Sequence, residues 1–151
     1  MTQKDIITLI IAGYAALIST LVFIWNVVNT IRDKGKIRVT GFFGFTTNIY
    51  DNPYEVLYYE FVNYGTKAVY LAGFGGDFTK KIDGMSRFLI NVPGLPKKLE
   101  PGDLHQAVFE NFESIDVNVR RLYAYDSIGN KFYMKRKTLR KLIRDKDSIR
   151  E

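Results

Sequence analysis

The chain has 151 residues, no cysteine, one histidine and a formal charge of +6. Those counts exclude disulfides, thiolate metal sites, cysteine catalysis and any multi-histidine metal centre, and the positive balance favours anionic partners: a lipid surface, an acidic protein patch or nucleic acid. With the strongly apolar first thirty positions set aside, the remainder suffices for one small domain, rich in Tyr and Phe, that should fold rather than stay disordered.

Residues 1–5 read as a short tail. From Ile6 to Ile31 no charged residue occurs, and the apolar core Ile6–Val28, about 23 residues, spans roughly 35 Å as a helix against ~30 Å of bilayer hydrocarbon. Leu9, Ile10, Leu17, Ile18, Leu21 and Phe23 cover every face of it, where a soluble helix keeps a polar side. A cleaved export signal has a shorter apolar region and a small-x-small exit site; Ile24-Trp25-Asn26-Val27-Val28 offers none. The segment 6–28 is therefore predicted to be a transmembrane anchor, with Trp25 at headgroup level. Arg32, Lys34, Lys36 and Arg38 follow the span against Asp33 alone, whereas only Lys4 and Asp5 precede it. Lys and Arg gather on the cytoplasmic side of a span, so the expected topology is N-terminus outside, domain cytoplasmic, at the inner or cell membrane. Ala12, Ala16 and Thr20 recur at four-residue spacing, a small-residue face on which two such helices can approach closely to form a homo-oligomer; alanine is also simply common in membrane helices. Residues 29–35 form a polar joint that reaches at most about 25 Å even when extended, which keeps the domain near the bilayer.

From Lys36 the period changes. Ile37, Val39, Gly41, Phe43 and Phe45 alternate with Arg38, Thr40 and Phe42, a strand signal. Asn52-Pro53 punctuates, and Val56–Asn63 reads as a second strand with Leu57, Tyr59 and Phe61 on one face. Tyr64-Gly65-Thr66 is expected to be a hairpin turn, Gly65 supplying positive φ, with Ala68–Phe74 as the returning strand. Gly73, Gly75 and Gly76 are read as a flexible loop or a kink in a sheet. Phe88–Val92 makes a short strand ended by Pro93-Gly94. Pro101-Gly102 is a type II turn signal, Ala107–Phe109 a further strand, and Phe112–Asn118 is ambiguous. Arg120–Tyr125 and Lys131–Lys135 form the last hairpin, closed around Ser127-Ile128-Gly129-Asn130. About seven short strands separated by turns predict an antiparallel sandwich or small barrel over 36–136.

In the tail, 137–151, Leu139, Leu142 and Ile143 recur at helical spacing amid Arg136, Lys137, Arg140, Lys141, Arg144 and Lys146. This is a short basic amphipathic helix. Near an anionic leaflet each such cation contributes about 1 kcal/mol, screened by salt. Arg136, Lys137, Arg140, Lys141 and Arg144 are therefore the candidate contacts to membrane lipid or another anionic partner. The alternative is a solvated helix docked on the sandwich by the same three apolar residues.

Three stretches, "FVNYGTKAVYL", "LPKKLEPGD" and "RRLYAYDSIGNKFY", together resemble the pattern of small bacterial or phage single-pass membrane proteins with an immunoglobulin-like β-sandwich, over roughly Phe61 to Tyr133. The resemblance lies in turn chemistry. It implies the fold, carries no catalytic residue, and would be compatible with a role in phage exclusion, defence or an envelope complex.

Chemistry is sparse. His105 is read as a partly exposed residue where a strand begins. Asp77, Asp83, Asp103 and Asp126 leave a carboxylate-only magnesium or calcium site open but lack calcium-loop spacing, and Asp103 and Asp126 are read as turn formers. No nucleophile elbow or phosphate loop occurs. Phe42, Phe43, Phe45, Tyr50, Tyr54, Tyr58, Tyr59 and Tyr64 are the candidates for a base-stacking platform, but about half should fill the core, and Tyr58 and Phe42 fall on the faces opposite the main apolar sets. The expectation is a mainly β, non-enzymatic, membrane-anchored binding or adaptor module without cofactor or metal, contacting another protein. The alternatives are a membrane-tethered nucleic-acid binder and a membrane-perturbing effector that acts through oligomerisation of the anchor.

Overall fold

The computed structural model describes residues 3–32, 34–46, 53–112, 115 and 118–149. The chain divides into two units, Met1–Lys34 and Gly35–Glu151.

The first unit is helix α1, Gln3–Arg32. It overruns the apolar run at both ends, because no breaker intervenes before Gly35. The helix is long and apolar enough to cross a membrane, and Leu17, Phe23 and Trp25 are each about two-thirds exposed. Its Ser and Thr hydroxyls are satisfied within the helix: Thr8, Ser19, Thr20 and Thr30 donate to the carbonyls of Lys4, Ala15, Ala16 and Asn26 at 2.8–2.9 Å. Closing these four hydroxyls on the helix backbone lowers the cost of placing them in an apolar surrounding.

Among the described residues the second unit has eight strands and a helix. The strands are β1 Ile37–Thr46, β2 Tyr54–Asn63, β3 Val69–Ile82, β4 Met85–Ile90, β5 Lys97–Leu99, β6 Leu104–Phe109, β7 Val119–Asp126 and β8 Lys131–Tyr133; helix α2 is Arg136–Ile149. One antiparallel sheet has the order β1-β2-β6. The other runs β4-β3-β7-β8, with β5 also pairing β3. Alternation in β2 turns Leu57, Tyr59 and Phe61 inward, all fully buried, to meet Leu71, Phe74, Leu122 and Ala124 of the facing sheet in one core. The Phe74 ring lies 4.7 Å from that of Tyr59 and 5.1 Å from that of Phe61. Each of these large side chains stabilises the fold by about 1.5–3 kcal/mol.

Three local expectations are corrected. Tyr64-Gly65-Thr66 does not close a hairpin, because β2 and β3 belong to different sheets. The segment is a crossover built on the buried Asn63. Its amide Nδ2 donates to the carbonyls of Lys67 (2.8 Å) and Leu99 (2.9 Å), and its Oδ1 accepts from the Gly65 N–H (3.0 Å). Of the two readings of Gly73, Gly75 and Gly76 the flexible loop is overturned and the irregular sheet position is found: they are the buried middle of β3, between two shifts of register against β7, where rings and backbone from both neighbours press in. A Cβ on Gly76 would stand 2.5 Å from the Phe88 ring and 2.6 Å from the Arg121 carbonyl oxygen. Gly76→Ala is expected to destabilise the domain by about 1–3 kcal/mol, read as a lower midpoint in thermal unfolding of the full chain in detergent. Finally, β3 continues to Ile82 and turns into β4 at Asp83-Gly84, with φ of +50° and +79°. An Asp-Gly pair between strands is a strong hairpin signal, and here it begins β4 at Met85, three residues before the strand expected at Phe88.

The remaining turns agree with the sequence. Gly102 has φ +89° and Gly129 φ +90°. The Asp103 carboxylate accepts from the Glu100 N–H (2.9 Å), and that of Asp126 from the N–H groups of Ile128 (3.1 Å) and Asn130 (2.8 Å).

Candidate functional site: a basic groove beside the first strand

Helix α2 is shaped by two competing demands. Leu139, Leu142 and Ile143 share one face at the i, i+3, i+4 spacing; Leu139 and Leu142 are buried in the core, and Ile143 is half-buried against it. Lys146 extends the same face. It is buried and donates to the Ile115 carbonyl, so it leaves the set of solvated cations. Docking is close because β1 has glycine where the helix crosses: the Leu142 Cδ1 lies 3.0 Å from the point a Cβ on Gly41 would occupy. Of the two readings of the tail, the docked one is observed, and the three apolar residues are spent on protein.

What the helix leaves outward is charge. A groove of about 700 Å³ runs between α2 and β1, lined by Thr40 and Gly41 on the strand side and by Lys137, Thr138, Arg140, Lys141 and Arg144 on the helix side. Among the described residues, four cations and no carboxylate line it. Arg144 leans on Asp145 at 3.8 Å, with its guanidinium side still largely in solvent. A second hollow of about 410 Å³ shares Thr40 and Thr138 and adds Arg38 and Lys135, so the basic lining continues along β1. Arg38 also lies over the Tyr64 ring, 5.0 Å from its centroid. The first turn of α2 carries Arg136 and Lys137 with no acidic residue, although a helix N-terminus favours negative charge by about 0.3–1 kcal/mol. An anion in the groove would relieve both the crowded cations and the helix end.

Four of the five predicted contacts, Lys137, Arg140, Lys141 and Arg144, thus share one groove. Arg136 lines a separate hollow with Arg120, where Arg140 also reaches. Ala12, Ala16 and Thr20 lie along exposed α1, the Thr20 hydroxyl bonded to Ala16. Sequence reasoning missed Thr40, Gly41 and Thr138. The available signal was Gly41 itself, since glycine inside an alternating strand often marks a close approach.

The other candidates divide. His105 sits half-buried in β6, its Nε2 3.0 Å from the Pro93 carbonyl and its ring 6.1 Å from that of Phe61, a packing role. Among the described residues no group of three or more His, Asp or Glu is placed to hold a metal. Of the aromatics, Tyr59 is buried and Phe43 is half-buried against Phe112 at 5.1 Å. Phe42 and Tyr58 stack on each other at 5.1 Å on the outer face of the β1-β2-β6 sheet. Tyr54 donates to Glu110, Phe45 is exposed, and Tyr50 lies outside the described residues.

Fold and site together define a mainly β chain with an apolar helix ahead of a two-sheet domain, and a cationic groove where its second helix meets the first strand. No family model, curated protein or solved structure matches the chain.

Proposed function

We propose that this protein is a single-pass membrane-anchored, non-enzymatic binding module that offers its basic groove to an anionic partner at the cytoplasmic face of the membrane. One observation carries the reading: α2 spends its apolar face on the domain core and keeps Lys137, Arg140, Lys141 and Arg144 together around an open groove. Cations gathered with a single flanking carboxylate, Asp145 beside Arg144, repel one another, an arrangement that serves binding better than stability. The anchor is supported by the all-round apolar surface and self-satisfied Ser and Thr hydroxyls of α1, and the orientation by Arg32, Lys34, Lys36 and Arg38 after the span. An immunoglobulin-like assignment of the domain is supported by its strand order, β1-β2-β6 against β4-β3-β7-β8, which follows the A-B-E and C′-C-F-G order of that architecture.

The test is photo-crosslinking of the full chain in native membranes, with the crosslinker at Thr138 in the groove or at Leu89 on β4, the edge strand of the other sheet. A discrete adduct from Thr138 that is absent from Leu89, in a protein that stays in the membrane pellet and whose C-terminus is shielded from external protease, is expected. Equal adducts from both sites, or a C-terminus cleaved from outside, would overturn the reading.

A further inference from the structure

We infer that the groove's occupant is an extended, acidic segment of a partner protein that pairs with the free edge of β1 as an added strand. The inference rests on the binding-module reading and names the partner's chemistry.

The ladder decides which backbone groups are available. Tyr64 donates its N–H to the Lys36 carbonyl at 2.9 Å, and on the other side of β2 Asn63 donates to the Asp103 carbonyl at 3.0 Å. In an antiparallel pair, bonding residues alternate with residues whose N–H and C=O point the opposite way. Counting from Lys36 through the register Ile37↔Asn63 to Thr46↔Tyr54, the even positions of β1 bond to β2. Val39, Gly41 and Phe43 therefore turn their N–H and C=O groups to the other edge. Among the described residues no strand pairs that edge.

Edge strands are normally guarded by shortness, proline, lysine or a bulge, because a bare edge is a template for another chain. β1 has none of these four devices: it is 10 residues long, holds neither proline nor lysine, and pairs with β2 without a register shift; the guard it does have is a neighbouring helix, α2, which packs at Gly41 with the groove left between them. The groove opens at Thr40 and Gly41 of this strand.

Charge selects the partner. A strand laid along this edge would run beside Lys137, Lys141 and Arg144, which reject a basic segment and favour carboxylates. A lipid headgroup would neutralise the cations but would leave the alternating donors and acceptors of β1 unanswered. A peptide backbone meets both requirements, main-chain bonds supplying affinity and side chains selectivity.

The experiment uses the full chain in uncharged nanodiscs, with a fluorescent alternating Glu-Val decapeptide, its Lys-Val counterpart, and vesicles containing phosphatidylglycerol as probes. The acidic peptide is expected to bind in a salt-sensitive manner and to slow hydrogen exchange at the amides of Val39, Gly41 and Phe43. The exposed double change Lys137→Ala with Lys141→Ala should weaken binding by about tenfold or more while leaving thermal unfolding unchanged. Binding without slowed exchange at those three amides would overturn strand addition. So would retention of only the anionic vesicles, with the same dependence on Lys137 and Lys141, which would assign the groove to lipid. Failure of the acidic peptide to bind, alongside a discrete crosslink from Thr138 in native membranes, would reject this inference and leave the binding module standing; loss of both would reject both.

Discussion

Asn63→Ala is expected to destabilise the domain by about 2–4 kcal/mol, among the largest effects of any polar substitution in this chain. The side chain is fully buried and joins three backbone groups of two segments: the Gly65 N–H and the Lys67 carbonyl in the crossover, and the Leu99 carbonyl on β5. Truncation takes the Asn63 donor from the Leu99 carbonyl in the interior and removes one bond each from the part-buried contacts to Gly65 and Lys67, and an orphaned buried group costs about 1–3 kcal/mol. Size is not the cause, and Asn63→Asp separates the two. The aspartate is isosteric and can still accept from Gly65, but at neutral pH it faces two carbonyl oxygens with a charge and no donor. Asn63→Asp should therefore destabilise at least as much as Asn63→Ala at neutral pH. It should recover part of the loss as pH falls, because burial without donors raises the carboxyl pKa in the folded state, and stability is then greatest where the group is protonated. Equilibrium unfolding of the full chain in detergent, followed by the near-ultraviolet signal of the packed tyrosines, reads both. A variant with alanine as stable as the parent would show that the crossover is held by something other than Asn63.

Leu142→Ala should cost about 2–5 kcal/mol, the range for a buried leucine whose site cannot collapse. Leu142 is 2% exposed and stands directly over Gly41, so the void opens at the contact that seats α2 on β1. The loss is expected to be uneven. Hydrogen exchange in α2 should accelerate more than in β2 or β7, since the helix shares fewer neighbours with the core than the central strands do. Leu142→Met, which keeps the volume, should cost less than about 1.5 kcal/mol. An undocked α2 regains a free apolar face flanked by cations, which is the composition of an interfacial helix. Leu142→Ala is therefore expected to raise binding to anionic vesicles even as it abolishes the groove. If instead the variant loses lipid contact together with stability, the docked form of the helix is the one that meets lipid.

Parts of the molecule were legible before any coordinates. The α1 helix was, because a run such as Leu17 to Phe23 has no polar face to mislead the reading. The inward set Leu57, Tyr59 and Phe61 was, because side chains alternate strictly along a strand. So were the turns at Gly102 and Gly129 and the Asp103 and Asp126 loops, since each depends on residues within four positions of one another. The crossover at Tyr64–Thr66 was misread for a related reason. An Asn-x-Gly segment between two apolar runs suits a hairpin, and only the distant Leu99 carbonyl, received by Asn63 from the far side of the domain, reveals that the chain is changing sheets. For the glycines of β3 the sequence left loop and sheet kink open, because glycine signals freedom in isolation, whereas Phe88 and Arg121, brought alongside by pairing, turn that lack of a side chain into a fit.

The candidate site divides the same way. Composition alone specified that Lys137, Arg140, Lys141 and Arg144 lie on a helix with an apolar stripe, and that the stripe must be covered. Whether lipid or protein covers it was beyond sequence, because leucine in a bilayer and leucine in a core obey the same transfer energetics. The tertiary structure chose protein. By lowering α2 onto Gly41 it set the cations beside β1, a strand that lies more than ninety positions earlier in the chain by the numbering of Gly41 and Lys137. Local pattern reports which way a side chain faces; only long-range packing reports what it faces.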